Sequence, residues 1–198
     1  MEGIVLNNKI VIFGEGDLAK EFASSANFNP LDILFINKEL DAKLDYNQLI
    51  NAKNIFIAIA EPNVKKKIHN RLKSYNIKVD TYISEYAIVS KNAVIGEGSI
   101  IQPLNIISNN VVIEELTFVN FSCIIGHDVL IGKYSSLMPS VNLGGHVKIG
   151  DSVFIGTGAT VIPNKTVMNN VKIGAGSILI SSAKKIGTYF GNPAKRIS

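Results

Sequence analysis

From residue 87 the chain counts in sixes. Cut as far as residue 182, it reads AIVSKN, AVIGEG, SIIQPL, NIISNN, VVIEEL, TFVNFS, CIIGHD, VLIGKY, SSLMPS, VNLGGH, VKIGDS, VFIGTG, ATVIPN, KTVMNN, VKIGAG, SILISS. The third place of all sixteen hexads is Val, Ile or Leu, from Val89 and Ile95 to Ile173 and Leu179. The first place is mostly small or Val, and the fourth is Gly at 96, 126, 132, 144, 150, 156 and 174. An unbroken six-residue repeat with an inward aliphatic predicts a parallel β-helix. Three hexads close one triangular coil of 18 residues, so sixteen make a little over five coils. At a strand spacing of about 4.8 Å the prism is about 25 Å long. A β-sandwich of short strands would need loops of varying length, and no insertion breaks the count. Gly at the fourth place is expected to serve corners with unusual backbone angles. Residues 189–198 leave the pattern.

Before residue 85 the pattern is different. Lys9-Ile-Val-Ile-Phe13, Ile33-Leu-Phe-Ile36 and Asn54-Ile-Phe-Ile-Ala-Ile-Ala60 read as short buried strands. Gly14-Glu-Gly16 follows the first, with Asp17 as the expected N-cap of a helix through Leu18, Ala19, Phe22 and Ala23. Pro62 opens a Lys-rich helix to about Tyr75, and residues 78–83 are expected to add a fourth strand. Strands alternating with helices predict a small parallel α/β unit of Rossmann type over 1–84, ahead of a β-helix with a C-terminal tail over 85–198. The Gly14–Gly16 turn is a phosphate cradle or a plain tight turn. Asn37, after the second strand, stands where such units contact ribose or base.

Composition narrows the classes. Of 198 residues 46% are hydrophobic, so the chain can bury a core and is not disordered. No run of about 18 apolar residues exists, so no membrane span is expected. Asn7, Asn8 and Lys9 break the apolar start too early for a signal peptide. Cys123 is the single cysteine, which leaves no intrachain disulfide and makes a reducing cytoplasm the expected compartment. Twenty Lys and Arg against 16 Asp and Glu give +4. That excess suits a phosphate-bearing ligand, and no basic block interleaved with aromatics points to nucleic acid. Lys165, Lys184, Lys185, Lys195 and Arg196 gather late in the chain.

An 18-residue coil places i beside i+18. His127 then lies between Asn109 and Gly145, and Asp128 between Asn110 and His146. A carboxylate beside a His can fix its tautomer and raise its basicity, which suits a general base. Asp128 could do that for His127, or could simply pair with His146. Gly145 leaves room for a ligand and bares an N–H. His69, on the Lys-rich helix, is expected at the solvated surface. A zinc hydrase on such a prism needs three His ligands. Only His127 and His146 lie in the solenoid, so no catalytic metal is expected.

The segments KIVIFGEGDLAKE, IAIAEPNVKKKI, CIIGHDVLIG, GGHVKIGDSVFIGTGATVIPN and FGNPAKRI resemble the NeuD/PglD-type sugar acyltransferases of the left-handed β-helix superfamily. The resemblance covers nearly the whole chain. It implies a trimer with acetyl-CoA as cosubstrate, sites between neighbouring β-helices, and a nucleotide-linked amino sugar, often 4-amino, held by the α/β unit. His127 matches the general base, Asp128 its orienting acid, and Gly145 the N–H facing the acetyl carbonyl. Asn120 matches an acceptor contact, and Gly14, Gly16, Asp17, Asn37 and Lys38 lie where the nucleotide would sit. Thr157 and Ala175 match backbone positions along the CoA arm, which Ser136, His146 and Lys195 are expected to join. Bacillosamine-type members carry a second His where this chain has Ser136, and a His in a first Gly-rich loop that is one residue longer than GEGDLAK. The expected chemistry is direct transfer to an amine through His127, without an acyl-enzyme, since Cys123 leans inward. The alternatives are O-acetylation of a sialic or other nonulosonic acid and a non-catalytic binding module.

Overall fold

The computed structural model describes residues 6–198. The repeat becomes a parallel β-solenoid. The strands of the hexads occupy places two and three, Val171–Ile173 alone also taking in place one, and from Ile88 to Thr160 each pairs with the strand 18 residues on, as Ile106 with Ile124, Ile124 with Asn142 and Asn142 with Thr160. The first face has eight strands, the second six and the third five. Third-place and first-place residues fill the interior, where Ile125, Val141, Ile155 and Val161 are wholly buried. Burying each such side chain contributes about 1.5–3 kcal/mol.

The corners follow a rule that differs from the expected one. Every sixth-place residue from Gly98 to Gly176 has a positive φ, including Asn110, Asp128, His146 and Asn164. The fourth-place glycines do not. They are glycines because the next coil lies on top of them. A Cβ at Gly126 would stand 2.8 Å from Gly145 N, and one at Gly156 would stand 2.6 Å from Ala175 N. Close approach, not backbone angle, selects Gly there.

Ahead of the solenoid stands a three-stranded parallel sheet in the order β2-β1-β3, with β1 Ile10–Phe13, β2 Ile33–Ile36 and β3 Asn54–Ile57. Its helices are α1 Asp17–Ser25, α2 Lys38–Lys43 and α3 Pro62–Ser74. Gly16, not Asp17, caps α1, and no side chain bonds its first N–H groups. The fourth strand expected for this sheet is absent from it. Only Tyr82–Ile83 of that segment is extended, and it pairs with Ile100–Ile101 of the solenoid.

The two parts share a core. Ile100 and Phe118, outward on the first face, are buried with Ile10, Phe22 and Phe56. Lys65 of α3 is also wholly buried there. Its Nζ donates to Ser135 O at 3.0 Å and to Ser136 Oγ at 2.9 Å, with no carboxylate among its partners. Desolvation pushes its pKa down from 10.5 to about 7. The other two faces carry exposed apolar ladders among the described residues, Ile88, Ile106 and Ile124 on the second and Val94 and Leu130 on the third.

Gly156→Ala should destabilise the chain by about 1–3 kcal/mol. Gly158→Asn, at a left-handed corner with open space around it, should change stability by less than about 0.5 kcal/mol. Melting of the two variants checks the corner rule. For Lys65, the unfolded chain holds the proton up to about pH 10.5 and the folded chain only to about pH 7. Stability therefore rises with pH across that window. Lys65→Met should stabilise by about 1–4 kcal/mol at pH 6 and by less at pH 9, read by denaturant unfolding at both.

Candidate functional site

The corner between the second and third faces carries the His-acid pair. Ile124–Ile125 ends the second-face strand and Leu130–Ile131 begins the third-face one, so residues 126–128 make the turn. The left-handed φ of 58° at Asp128 turns its carboxylate back to its neighbour. His127 Nδ1 lies 2.8 Å from Asp128 Oδ2. Asn110 Nδ2, one coil below, donates to Asp128 Oδ1 at 3.1 Å. The bonds from His127 and then Asn110 hold the Asp128 carboxyl below the usual carboxylate range. An ionised carboxylate accepts from Nδ1, and in the neutral ring that tautomer puts the lone pair on Nε2.

Nε2 faces Gly145 on the next coil. A Cβ there would meet Nε2 at 2.7 Å and Cε1 at 2.8 Å, so any other residue would push the ring away. At the same corner place elsewhere, Lys133 N and Asp151 N donate to the Asx side chain of the next coil. Above Gly145 that place is Pro163, and the Gly145 N–H donates no hydrogen bond within the described residues. The corner thus holds His127 Nε2 close to the backbone of Gly145, whose N–H has no partner among the described residues. His146 Nε2 lies 3.9 Å from Asp128 Oδ2, so the His127 contact is much the shorter.

The expected nucleotide residues gather in a cavity of about 510 Å³ at the C-terminal ends of β1, β2 and β3. Gly14, Gly16, Asp17, Asn37 and Lys38 all line it. Gly14 has φ 126°, and a Cβ there would strike Ala58 O at 2.7 Å. Asn37 is partly committed: its Oδ1 caps α2 through Leu40 N and its Nδ2 donates to Glu15 Oε2. The far wall adds Lys67 and Arg71 of α3, which sequence reading missed although their four-residue spacing puts them on one helix face. Arg71 Nη1 donates to Asp41 Oδ2 at 2.9 Å, while Lys67 makes no ion pair among the described residues.

Other expected site residues lie elsewhere. Ser136 and Asn120 are 0% and 2% exposed. Ser136 receives the Lys65 ammonium, and Asn120 Oδ1 accepts from Phe121 N–H. Both side chains are therefore buried within this chain, Ser136 under α3 and Asn120 with its Oδ1 engaged by the adjacent backbone N–H. Thr157 and Ala175 are exposed and stacked at the corner between the first and second faces, a different edge from that of His127. Lys195 is exposed in the terminal strand beside Phe190. His69 is not at the solvated surface: it is half-buried, bonds Tyr134 Oη at 3.0 Å, and burial pushes its pKa down. Cys123 is buried with its thiol pushed up to about 12, which disarms it as a nucleophile. Among the described residues no helix is long and apolar enough to cross a membrane.

The family model described as "GMPPB C-terminal domain" matches residues 67–182. Among solved structures, the chain is similar to PerB from Caulobacter crescentus in complex with CoA and GDP-perosamine. They share 24% identity over 96% of this chain and 98% of that one, with a TM-score of 0.85. The acetyltransferase domain of PglB from Neisseria gonorrhoeae, also solved with acetyl coenzyme A, is 25% identical over 96% and 100%, with a TM-score of 0.84. WeeI from Acinetobacter baumannii is 22% identical over 96% and 100%, with a TM-score of 0.79. Another structure of the Caulobacter crescentus protein is described as a GDP-perosamine N-acetyl transferase in complex with CoA and GDP-perosamine.

Proposed function

Starting from a chain that belongs to the GMPPB C-terminal domain family, we propose an acetyl-CoA-dependent N-acetyltransferase acting on a nucleotide-linked amino sugar. The observation that carries this reading is the His127–Asp128 corner, with its Nε2 in the space that a side chain at residue 145 would fill. The ligands bound in the neighbouring structures, CoA with GDP-perosamine and acetyl coenzyme A, support the same pair of substrates. In this reading residues 1–84 are a Rossmann-like nucleotide domain and the solenoid from 85 winds left-handed. The sugar's amine is 4-amino, the assembly is a trimer, and the compartment is the cytoplasm.

The chemistry follows from the corner. The acceptor amine attacks the thioester carbonyl and loses a proton to His127 Nε2, while Asp128 holds the Nδ1–H and stabilises the imidazolium. A positioned base contributes about 10²–10⁴-fold. The carbonyl oxygen takes up charge beside the Gly145 N–H, where one such donor contributes about 3 kcal/mol. Collapse forms the amide and expels the CoA thiolate, which takes the proton from Nε2. No cysteine is needed.

The cavity at the ends of β1, β2 and β3 suits the nucleotide. The uncapped N-terminus of α1 offers N–H groups to phosphate, and Lys38 and Lys67 add positive charge opposite it. Thr157, Ala175, His146 and Lys195 are read as the CoA side. The exposed ladders on the second and third faces support burial against further copies of the chain.

His127→Ala should lower kcat by at least about 10²-fold, with melting temperature and acetyl-CoA binding kept. Turnover at the unmodified level would sink the base assignment. Lys67→Ala should raise KM for the nucleotide sugar by about tenfold or more, leaving KM for acetyl-CoA unchanged. Steady-state kinetics with each substrate varied in turn separates the two sites.

A further inference from the structure

Asp128 stands between two imidazoles. Its Oδ2 is 2.8 Å from His127 Nδ1 and 3.9 Å from His146 Nε2. One donor atom from each residue lies within 4.8 Å of the other two. The two rings meet edge to face with centroids 5.0 Å apart, and the side chains of His127 and His146 are 58% and 55% exposed. The expected mechanism uses the first contact and gives no role to the convergence of the second ring. We propose that His127, Asp128 and His146 form a binding site for a borderline divalent cation of the Zn²⁺ type, and that the bound ion switches the base off.

The donor set fits that class of ion. Two imidazole nitrogens and one carboxylate oxygen suit zinc, with the remaining positions open to water. Bonds of about 2.0–2.2 Å in a tetrahedral arrangement put donors about 3.3 Å apart. His127 Nδ1 and Asp128 Oδ2 then open by about half an ångström and His146 Nε2 closes by about as much. Rotations of exposed side chains supply this without moving the corner, whose backbone is fixed by His146 N donating to His127 O at 3.0 Å. The carboxylate offsets part of the ion's charge. Mg²⁺ and Ca²⁺ prefer oxygen ligands in larger number and gain little here.

Inhibition follows from the tautomer, and this part rests on His127 being the base. Before binding, the neutral ring carries its proton on Nδ1 and keeps a lone pair on Nε2. The ion takes the Nδ1 lone pair. The Nδ1 proton leaves to water and Nε2 gains one, so the ring stays neutral and nothing is oxidised or reduced. An Nε2–H cannot accept the acceptor's proton. The ion also replaces the hydrogen bond that orients the ring.

The test is calorimetric titration of the full chain with ZnCl₂ and with MgCl₂ at neutral pH in a non-chelating buffer, with neither substrate present. Zinc should bind once per chain in the micromolar range and magnesium should not bind. His146→Ala and Asp128→Asn should each weaken zinc at least about tenfold, with unchanged melting curves. Equal zinc affinity in His146→Ala, or equal binding of the two metals, would overturn the site. In the acetyl-transfer assay zinc should inhibit at the concentration at which it binds, and EDTA should restore turnover. Binding without inhibition would overturn the switch. The calorimetry is independent of turnover, so a chain without transferase activity would still bind zinc, or fail to, at the His127–Asp128–His146 corner.

Discussion

Everything in this molecule depends on coils stacking in register, one on the next, every 18 residues. The ladder bonds fix the spacing, and the sixth place of each hexad turns the chain by adopting a left-handed φ. That conformation costs a non-glycine residue roughly 1–2 kcal/mol unless its side chain is short and polar. Asn, Asp and Ser recur there, but so do Leu104, Leu116 and Tyr134. Those three show that stacking overrides local preference. Leu116 and Tyr134 bury their side chains in the core shared with the α/β unit, which offsets the cost of the corner.

The same constraint builds the candidate site. Side chains at consecutive positions of a strand point to opposite faces. At a corner with a left-handed sixth place, the fifth and sixth side chains instead converge. His127 and Asp128 meet for that reason, and Asn110 and His146 join them because they occupy the same place one coil below and above. Gly145 occupies the fifth place above His127, so the absent Cβ is what admits the ring. A single register thus brings His127, Asp128, Gly145 and His146 together at one corner.

This is why the solenoid is so legible in sequence and the rest less so. Periodicity gives i+18 neighbours without coordinates, and the Asp128–Asn110 and His127–Gly145 contacts both follow from it. The role of the fourth-place glycines is not legible, because contact between coils and backbone angle leave the same residue type in the sequence. The cavity of the α/β unit is half legible: its loops are visible as Gly14–Gly16 and Asn37, but Lys67 and Arg71 come from an element far along the chain. Lys65 is wholly invisible. Within a run of three lysines nothing marks one as buried, and only the packing of α3 on the first face separates it from Lys66 and Lys67. Ser136 is buried for the same reason, since that face is covered, while Asn120 is buried at the corner that follows it.

The prism geometry also bears on how a complete site could form. His127 and Gly145 stand on the edge between the second and third faces, while Thr157 and Ala175 stand on the edge between the first and second. A ligand touching both sets within one chain would have to lie across the second face. That face carries Ile88, Ile106 and Ile124, all outward and exposed, and such an apolar ladder is a poor bed for a phosphate-rich cosubstrate. If the ladder is instead covered by another copy of the chain, the edge with Thr157 of one copy can approach the edge with His127 of another. The apolar faces then bury one another and the polar edges line a cleft between chains. The first face cannot serve in this way, because the α/β unit and Lys65 already occupy it. On this geometry the proposed site shared between subunits would account for both the exposed apolar faces and the separation of the two edges.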